Sequence, residues 1–285
     1  MVRPDLRVAG TRLFFAQPDN TPYAGTAPFP DDRVGEMAAM LQSVCVIIPA
    51  RNEAAALPKV IQALPKVGRL IVVDNGSTDQ TAAVARELGA TVVGEPRPGY
   101  GRACLAGLAQ LAAWAASGEF RAEVVAFLDG DYSDYPEFLP RLVEPILSDR
   151  ADFVLGSRLR GRREPLAMLP QSVYGNRLAC WLMRLLWKAP YTDLGPFRAI
   201  RYDALNRLGM QDGDFGWTIE MQIKAVLAGL RIMEIPVPYR RRIGTSKISG
   251  TVWGSARAAV KILYTLAKYA WYTRHVGRRH CPAQW

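Results

Sequence analysis

The residues best suited to chemistry in this sequence are two aspartates near its middle, Asp129 and Asp131. They follow the apolar run 124–128 and are separated by Gly130, which lets the backbone turn and a ligand approach closely. A buried strand that ends in this way places two carboxylates together, and a cation, a shared proton or a polar ligand must offset their repulsion. A divalent metal bound by these carboxylates and by substrate phosphates meets this need. The alternative is a plain strand end in which Asp134 caps the following helix.

A second acidic strand end comes earlier in the chain. Asp74 ends the apolar run 70–73 and stands before Asn75. Its carboxylate can accept a hydrogen bond from a nucleobase N–H or from a ribose hydroxyl. The alternative is a simple turn, because Ser77 and Gln80 have the spacing of a capping box for the helix that follows.

Two segments rich in glycine and arginine are candidates for binding phosphate. In residues 97–103, Arg102 follows Gly101 at the predicted start of a helix, a position that favours phosphate. The third glycine of a dinucleotide-binding turn is missing there. In residues 239–250, three arginines and Lys247 stand among glycines and serines. Such a segment could close over a diphosphate through charge-assisted hydrogen bonds, although a solvated basic loop has the same composition.

Strand-like and helix-like patterns alternate from residue 43 to about residue 160. This alternation predicts right-handed βαβ units, and therefore an α/β fold with a mostly parallel central sheet flanked by helices. Ligands of such sheets bind beyond the carboxyl ends of the strands. Four polar segments follow predicted strand ends and are expected to line one edge: residues 49–53, 74–79, 129–134 and 157–158.

Two helices in the second half of the sequence carry basic residues on one stripe of an otherwise apolar and aromatic surface. The first is predicted over residues 173–188, and the second, an amphipathic C-terminal helix, over residues 250–274. Such a helix can lie in a membrane interface with its cations toward the head groups. Packing against the protein core is the alternative. The basic residues are Arg177, Arg184 and Lys188 in the first helix, and Arg257, Lys261 and Lys268 in the second.

The composition restricts the class of protein further. With 285 residues, 49% of them hydrophobic, the chain can bury the core of one large domain. We expect an extension over residues 1–42, a globular domain over 43–250 and a basic helix and tail over 251–285. The formal net charge of +10 indicates a polyanionic partner. The 4 cysteines lack disulfide or zinc spacing, and no signal peptide or membrane-spanning run is visible, so we expect a cytoplasmic protein.

Taken in order, these motifs resemble those of glycosyltransferase family 2, whose members have the GT-A fold. The matching segments are PARNE, VVDNGSTDQT, DGDYSDYPE, GSR, GWTIEMQ and YRRRIGTSKISG, which together cover about residues 43–250. The nearest resemblance is to the dolichyl-phosphate mannosyltransferase-like branch, which glycosylates polyprenyl phosphates at the cytosolic face of the membrane. The resemblance therefore implies an enzyme peripherally associated with the inner membrane face, with Mg²⁺ or Mn²⁺ as its cofactor.

The resemblance also implies roles for individual residues. The nucleotide sugar would contact Pro49, Ala50, Asn52, Glu53, Asp74, Arg102 and Gly130. Asp131 would ligate the metal that bridges the diphosphate, and Asp129 would complete the metal site toward the ribose and phosphates. The phosphate and acceptor contacts would be Arg158, Arg240, Arg242, Ser246 and Lys247. Glu220, the third predicted catalytic residue, falls near an acidic catalytic position of relatives, but TIE replaces their usual Glu-Asp pair.

The implied reaction is the inverting transfer of a hexose from a nucleotide sugar, of the GDP-mannose or UDP-glucose type, to a polyprenyl phosphate. Such an acceptor is already largely anionic at neutral pH, because its second pKa is about 6, and it needs no general base. A hydroxyl acceptor would need one, with Glu220 or Asp193 as candidates. An enzyme acting on a hydroxyl and a catalytically silent sugar-nucleotide-binding module are the alternatives. Nucleic-acid binding is not expected, since the basic residues lie among apolar helix faces.

Overall fold

One sheet of seven strands organises the chain in the computed structural model, which describes residues 34–189, 191–244 and 252–275. In chain order the strands are β1 (Val44–Ala50), β2 (Arg69–Asp74), β3 (Thr91–Gly94), β4 (Val124–Phe127), β5 (Phe153–Ser157), β6 (Arg198–Arg201) and β7 (Ile232–Pro236). The central strands β1, β4 and β5 are almost continuously buried. This is the pattern of strands that are covered on both faces.

The order of the strands across the sheet is β3-β2-β1-β4-β6-β5-β7. β1 pairs in parallel with β2 and β4, β2 with β3, and β5 with β7. β6 runs antiparallel to both of its neighbours, β4 and β5. The predicted α/β fold with a mostly parallel sheet is confirmed. The carboxyl ends of β2, β1 and β4 consequently meet at one edge.

Helices cover both faces of this sheet. They are α1 (Val34–Met40), α2 (Leu57–Ala63), α3 (Thr81–Glu87), α4 (Tyr100–Ser117), α5 (Leu139–Leu147), α6 (Pro170–Trp187), α7 (Tyr202–Leu208), α8 (Trp217–Leu227) and α9 (Val252–His275). Alternate strand residues point to opposite faces. Ile47 and Val73 therefore belong to a core shared with α4, α6, α7, α8 and α9, whereas Ile48 and Val72 pack with α1, α2 and α5.

Part of the predicted N-terminal extension packs on the globular domain, and the two predicted amphipathic helices are present. Residues 34–43 form α1 and a 3₁₀ turn, and both Met37 and Leu41 are buried in the core. The rest of the predicted extension, residues 1–33, lies outside the described residues. α6 and α9 correspond to the two predicted amphipathic helices. Among the described residues, no helix combines the length and the apolar composition that crossing a bilayer requires.

Candidate active site

The first two strand ends and the turn after β4 are brought together at the carboxyl edge of the sheet. In the β1–β2 pairing, Ala50 lies opposite Asp74. A methyl group placed on Gly130 would lie 3.5 Å from Ala50 Cβ and 3.6 Å from Glu53 Cγ, so the turn that carries the aspartates packs on the end of β1. The structure therefore brings the predicted nucleotide-binding segment 49–53 together with residues 129–134, called here the acidic turn.

The loops after β1 and β2 are held to each other by side chains. The backbone N–H of Asn52 donates to Ser77 Oγ at 2.9 Å, and Thr78 N–H donates to Asn52 Oδ1 at 2.7 Å. Asp74 Oδ1 accepts from Ser77 N–H at 3.1 Å. The capping box predicted for α3 is wrong, because that helix has no side-chain cap at Gln80. Ser77 instead joins the loop after β1 to the loop after β2, next to Asp74.

Asp129 has the chemistry of an incomplete ligand site. Its Oδ1 atom is buried and has no hydrogen-bond partner. Burial and the neighbouring charge of Asp131 raise the pKa of Asp129 to about 7, against the lowering effects of Arg242, Arg158 and a hydrogen bond from Tyr100. A carboxylate in this position gains from a cation that neutralises it and fills its free coordination position. The donor set therefore fits a divalent metal.

Asp131 is buried and fully engaged by protein groups. Its Oδ1 accepts from the backbone N–H of Ser133 at 2.9 Å and from Ser133 Oγ at 2.5 Å. Its Oδ2 forms an ion pair with Arg242 Nη1 at 3.0 Å. Among the described residues there is no group of three histidine, cysteine, aspartate or glutamate side chains that could hold a metal. A metal here would thus need substrate oxygens to complete its coordination.

Asp134 does not cap the following helix, so that prediction is wrong. The 3₁₀ turn Pro136–Phe138 has Tyr135 at its N-cap and no side-chain cap. Asp134 is 1% exposed, and both of its carboxyl oxygens lack a hydrogen-bond partner. Burial, followed by the charge of Asp129, raises its pKa well above the ordinary value for aspartate. It adds a third buried carboxyl group to the acidic turn.

Arg240 holds this acidic turn in place. Its guanidinium lies between the rings of Tyr132 and Tyr135, 3.5 and 3.8 Å from their centroids. It donates to the backbone carbonyls of Tyr132 and Asp134 at 2.8 and 2.9 Å. The neighbouring Arg242 instead reaches the carboxylate of Asp131. Of the two arginines, Arg242 is therefore the one placed at the proposed metal ligand.

Two further predicted phosphate contacts have protein partners of their own. Arg158 donates through Nε and Nη2 to the two carboxylate oxygens of Asp193, at 2.9 and 2.8 Å. The Asp193 side chain is fully buried in this pair. Arg102 donates to the carbonyl of Pro98 and lines an open groove of about 560 Å³ along β3 and α4 together with Arg97. The predicted residues Ser246 and Lys247 lie outside the described residues.

Glu220 lies in a separate buried cluster and not at the acidic turn. Its carboxylate forms an ion pair with Lys224 at 2.9 Å and accepts from the Tyr269 hydroxyl at 3.0 Å and from Asp212 N–H at 2.8 Å. Lys224 also donates to the carbonyl of Gly209 at 2.6 Å. The cluster connects α8 to α9 and to the preceding loop. This arrangement is that of a structural anchor.

Sequence reasoning assigned no role to two residues that shape the site. Asn75 donates from Nδ2 to the carbonyls of Glu95 and Arg97 and accepts from Gly99 N–H through Oδ1, at 2.8–2.9 Å. It thereby fastens the loop between β3 and α4. Tyr100, the first residue of α4, hydrogen-bonds Asp129. The role of Asn75 could have been inferred from its position directly after the end of β2. Nothing in the local sequence indicated the role of Tyr100.

Away from the acidic turn, α6 and α9 contact each other, and each has exposed apolar and basic residues; these residues are called here the α6–α9 face. The two helices are joined by a hydrogen bond from Trp187 Nε1 to Thr273 Oγ1 at 3.3 Å. Large apolar side chains are exposed beside the cations; Trp181 is 57% and Trp271 is 61% exposed. The members of the face are Tyr174, Arg177, Leu178, Trp181, Arg184, Leu185, Val260, Leu263, Tyr264, Lys268 and Trp271.

Comparison with known proteins gives this geometry a family context. The family model described as Glycosyl transferase family 2 matches residues 45–209. An uncharacterized glycosyltransferase of Mycobacterium tuberculosis is 41% identical over 217 residues, 75% of this chain and 93% of that protein. The dolichyl-phosphate hexose transferase of Haloferax volcanii is 30% identical and covers 77% of this chain and 93% of its own length. The undecaprenyl-phosphate mannosyltransferase of Micrococcus luteus is 29% identical, with 75% and 90% covered.

Solved structures agree on the fold. The glucosyl-3-phosphoglycerate synthase of Mycobacterium tuberculosis, crystallised with Mn²⁺, UDP and glucosyl-3-phosphoglycerate, has a TM-score of 0.63 and 23% identity, with 85% of each chain covered. A second crystal structure, of a mycobacterial protein, has a TM-score of 0.62 and 24% identity, covering 85% of this chain and 80% of that one. The predicted GT-A fold is confirmed.

Proposed function

Because this chain belongs to glycosyltransferase family 2 and is a glycosyltransferase, we propose that it transfers a hexose from a nucleotide sugar to a polyprenyl phosphate in a metal-dependent, inverting reaction. The observation that carries the proposal is the acidic turn, where the orphaned Oδ1 of Asp129 lies beside the carboxylate of Asp131 at the carboxyl edge of the sheet. This is the place where α/β sheets bind their ligands.

The two aspartates would hold Mg²⁺ or Mn²⁺, and the ion, when bound, would neutralise the diphosphate that leaves the sugar. The protein groups around them have separate tasks. Ser133 orients Asp131, and Tyr100 contacts Asp129. Arg242 stands where it can transfer its charge interaction to the diphosphate. The fixed charges would therefore stabilise the leaving group without protonating it.

The nucleoside would bind where the first two strands end. Residues 49–53 and Asp74 face one edge, and the interlocked hydrogen bonds of Asn52 and Ser77 keep that edge rigid. A rigid edge of this kind would hold the donor in a fixed orientation for in-line attack. We propose a donor of the GDP-mannose or UDP-glucose type. The solved synthase with the same fold was crystallised with UDP and Mn²⁺, which supports a nucleoside-diphosphate sugar as the donor.

A phosphate acceptor agrees with the placement of the remaining acidic residues. Glu220 is ion-paired with Lys224, and Asp193 is ion-paired with Arg158. Both carboxylates are therefore already engaged by cations of the protein. A polyprenyl phosphate needs no general base, since its second pKa is about 6. The names of the relatives from Haloferax volcanii and Micrococcus luteus, which are polyprenyl-phosphate sugar transferases, support the same acceptor class.

The α6–α9 face supports a peripheral position at the inner membrane surface, where a polyprenyl phosphate is presented. Its exposed tryptophans and leucines can enter the acyl boundary, while Arg177, Arg184 and Lys268 remain among anionic head groups. A soluble protein rarely leaves so many large apolar side chains exposed on one surface. The buried sides of the same helices, including Met183 and Leu266, hold them to the core.

The deciding experiment uses the purified full chain with UDP-glucose and GDP-mannose, with polyprenyl phosphate in detergent, and with Mg²⁺, Mn²⁺ or EDTA. We expect a lipid-linked sugar to form from one donor only when a metal is present. Asp131→Asn should abolish this product, whereas Glu87→Gln, an exposed acid on α3, should not affect it. Transfer to short hydroxyl acceptors without transfer to polyprenyl phosphate would replace the proposed acceptor. Undiminished transfer in EDTA would refute the metal.

Membrane association needs a separate measurement. We expect the chain to float with vesicles that contain anionic lipid, and Trp181→Ser combined with Lys268→Glu to reduce the floated fraction at least about fivefold, since each change removes apolar burial or head-group attraction. Lys66→Glu makes the same charge change at an exposed site between α2 and β2 and is the matched control. Equal flotation of all three proteins would refute the role of this face.

A further inference from the structure

The carboxylate of Asp131 is already bound to a cation of the protein itself. Arg242 Nη1 lies 3.0 Å from Asp131 Oδ2, and Ser133 occupies Oδ1. The main chains are joined as well, because Ile243 N–H donates to the carbonyl of Asp131 at 2.9 Å. The position beside Oδ2 that a metal would take is therefore occupied by the guanidinium of Arg242, which is positively charged and repels the metal.

We propose that Arg242 exchanges partners during donor binding. Without donor it neutralises Asp131 and opposes the binding of a metal alone; with donor it moves to the diphosphate and frees Oδ2 for the metal. This inference rests on the proposed function, in which metal and diphosphate share the acidic turn. Metal and nucleotide would then each strengthen the binding of the other, since either one favours the same position of Arg242.

The surrounding contacts hold Arg242 less firmly than its neighbour Arg240. The Arg242 side chain is 32% exposed, its ion pair with Asp131 joins one nitrogen to one oxygen, and it also hydrogen-bonds Tyr239. An ion pair with a single contact and with one partner open to solvent is exchanged more readily than a two-pronged buried pair such as that of Arg158 with Asp193. Arg240, two residues earlier, is held between two tyrosine rings and by two backbone carbonyls. The segment thus has a fixed point at Arg240 and a replaceable contact at Arg242.

The test measures Mn²⁺ binding to the full chain by titration calorimetry or electron paramagnetic resonance, without nucleotide and with UDP or GDP. Without nucleotide, Arg242→Gln should bind Mn²⁺ about tenfold more tightly than the wild type, because the competing cation has been removed. Arg242→Lys keeps the charge and should stay close to wild type. Arg241→Gln is the matched control, since the Arg241 side chain donates to the carbonyl of Pro165.

Measuring Mn²⁺ binding with nucleotide shows whether Arg242 competes with the metal or only stabilises the fold. Saturating nucleotide should strengthen Mn²⁺ binding in the wild type, and this gain should shrink at least about fivefold in Arg242→Gln. Unchanged or weaker Mn²⁺ binding by Arg242→Gln without nucleotide would overturn the exchange while leaving the metal assignment intact. If the wild type binds no Mn²⁺ even with nucleotide, both the exchange and the metal-dependent function are refuted. A folding defect would appear as a lower melting temperature and weaker binding, which is opposite to the expected result.

Discussion

Two buried acidic regions in this chain solve the same electrostatic problem in opposite ways. In the cluster around Glu220, the carboxylate receives an ammonium group, a phenol and backbone N–H groups from the protein. At the acidic turn, Asp129 and Asp134 together leave three buried oxygens without any partner. Buried polar groups without partners cost free energy. The comparison shows that one region is completed by folding and that the other is built for a ligand.

The two regions also differ in how their positions are fixed. Glu220 and Lys224 lie one turn apart on α8 and bind each other directly. The acidic turn is held from outside, by Arg240 and by the backbone of the segment after β7. A site whose geometry depends on a neighbouring segment can change when that segment binds a ligand. The ion pair of Glu220 with Lys224 is instead contained within one turn of α8, so ligand binding to another segment leaves it in place.

The largest expected effect is on stability, at the completed cluster. Glu220→Ala leaves the ammonium group of Lys224 buried without its charged partner, and we expect the free energy of unfolding to fall by about 3–5 kcal/mol. Urea denaturation measures this loss. The double variant Glu220→Met and Lys224→Met should recover most of it, because apolar side chains can replace a buried ion pair. A loss below about 1 kcal/mol would show that Glu220 is not a structural anchor and would restore it as a candidate base.

The next effect is on catalysis, at the incomplete region. Asp131→Asn keeps the shape but removes the charge, and we expect the transfer rate to fall by about 10²–10³-fold, as when one electrostatic contact to a transition state is lost. Its melting temperature should stay near that of the wild type, because the change also relieves repulsion between Asp129 and Asp131. A large drop in melting temperature together with normal turnover by the folded fraction would show that Asp131 stabilises the fold and does not act in catalysis.

Much of this distinction follows from local sequence, and some of it does not. The strand ends at Asp74 and Asp129 were predictable because each follows an apolar run, and parallel strands bring such ends to one edge. The ion pair of Glu220 with Lys224 was also visible as a spacing of four residues on a helix. That spacing argues for a structural role, whereas the resemblance to relatives had implied a catalytic one.

The partners of the arginines could not be predicted in the same way. Arg158 binds Asp193, which is 35 residues away, and Arg240 binds the carbonyl of Tyr132 across 108 residues. An arginine in a basic segment has the same composition whether it binds phosphate, a carboxylate or a carbonyl. Only the packing of distant segments decides among these partners. For the same reason the sequence predicted a helix cap at Asp134, whose two carboxyl oxygens have no partner in the structure.

A more gradual effect, spread over about three pH units, is the pH dependence of the metal-free protein. The pKa of Asp129 is raised to about 7 in the folded state by burial and by Asp131, against about 3.9 when unfolded. Between these values the folded state holds the proton more tightly, so the stability contributed by this group falls as the pH rises from about 4 to about 7. It then levels off. The slope for one proton is at most about 1.4 kcal/mol per pH unit.

Asp129→Asn should remove that contribution, which denaturation at a series of pH values would reveal as a difference between variant and wild type. Glu87→Gln, on the exposed surface of α3, is the control. Identical pH profiles for the wild type and Asp129→Asn would mean that the carboxyl group ionises normally, and that the acidic turn is better solvated than its orphaned oxygen indicates.

The smallest expected effect is that of Asp134→Asn on stability, and it distinguishes a buried carboxyl group without a partner from one that is ion-paired. The raised pKa of Asp134 favours its neutral acid, so Asp134→Asn changes little and should alter the free energy of unfolding by less than about 1 kcal/mol. Asp193→Asn makes the same change in a carboxylate bound to Arg158 by three hydrogen bonds, and it should cost several times more. Equal losses at the two positions would show that Asp134 is ionised and has a cation of its own.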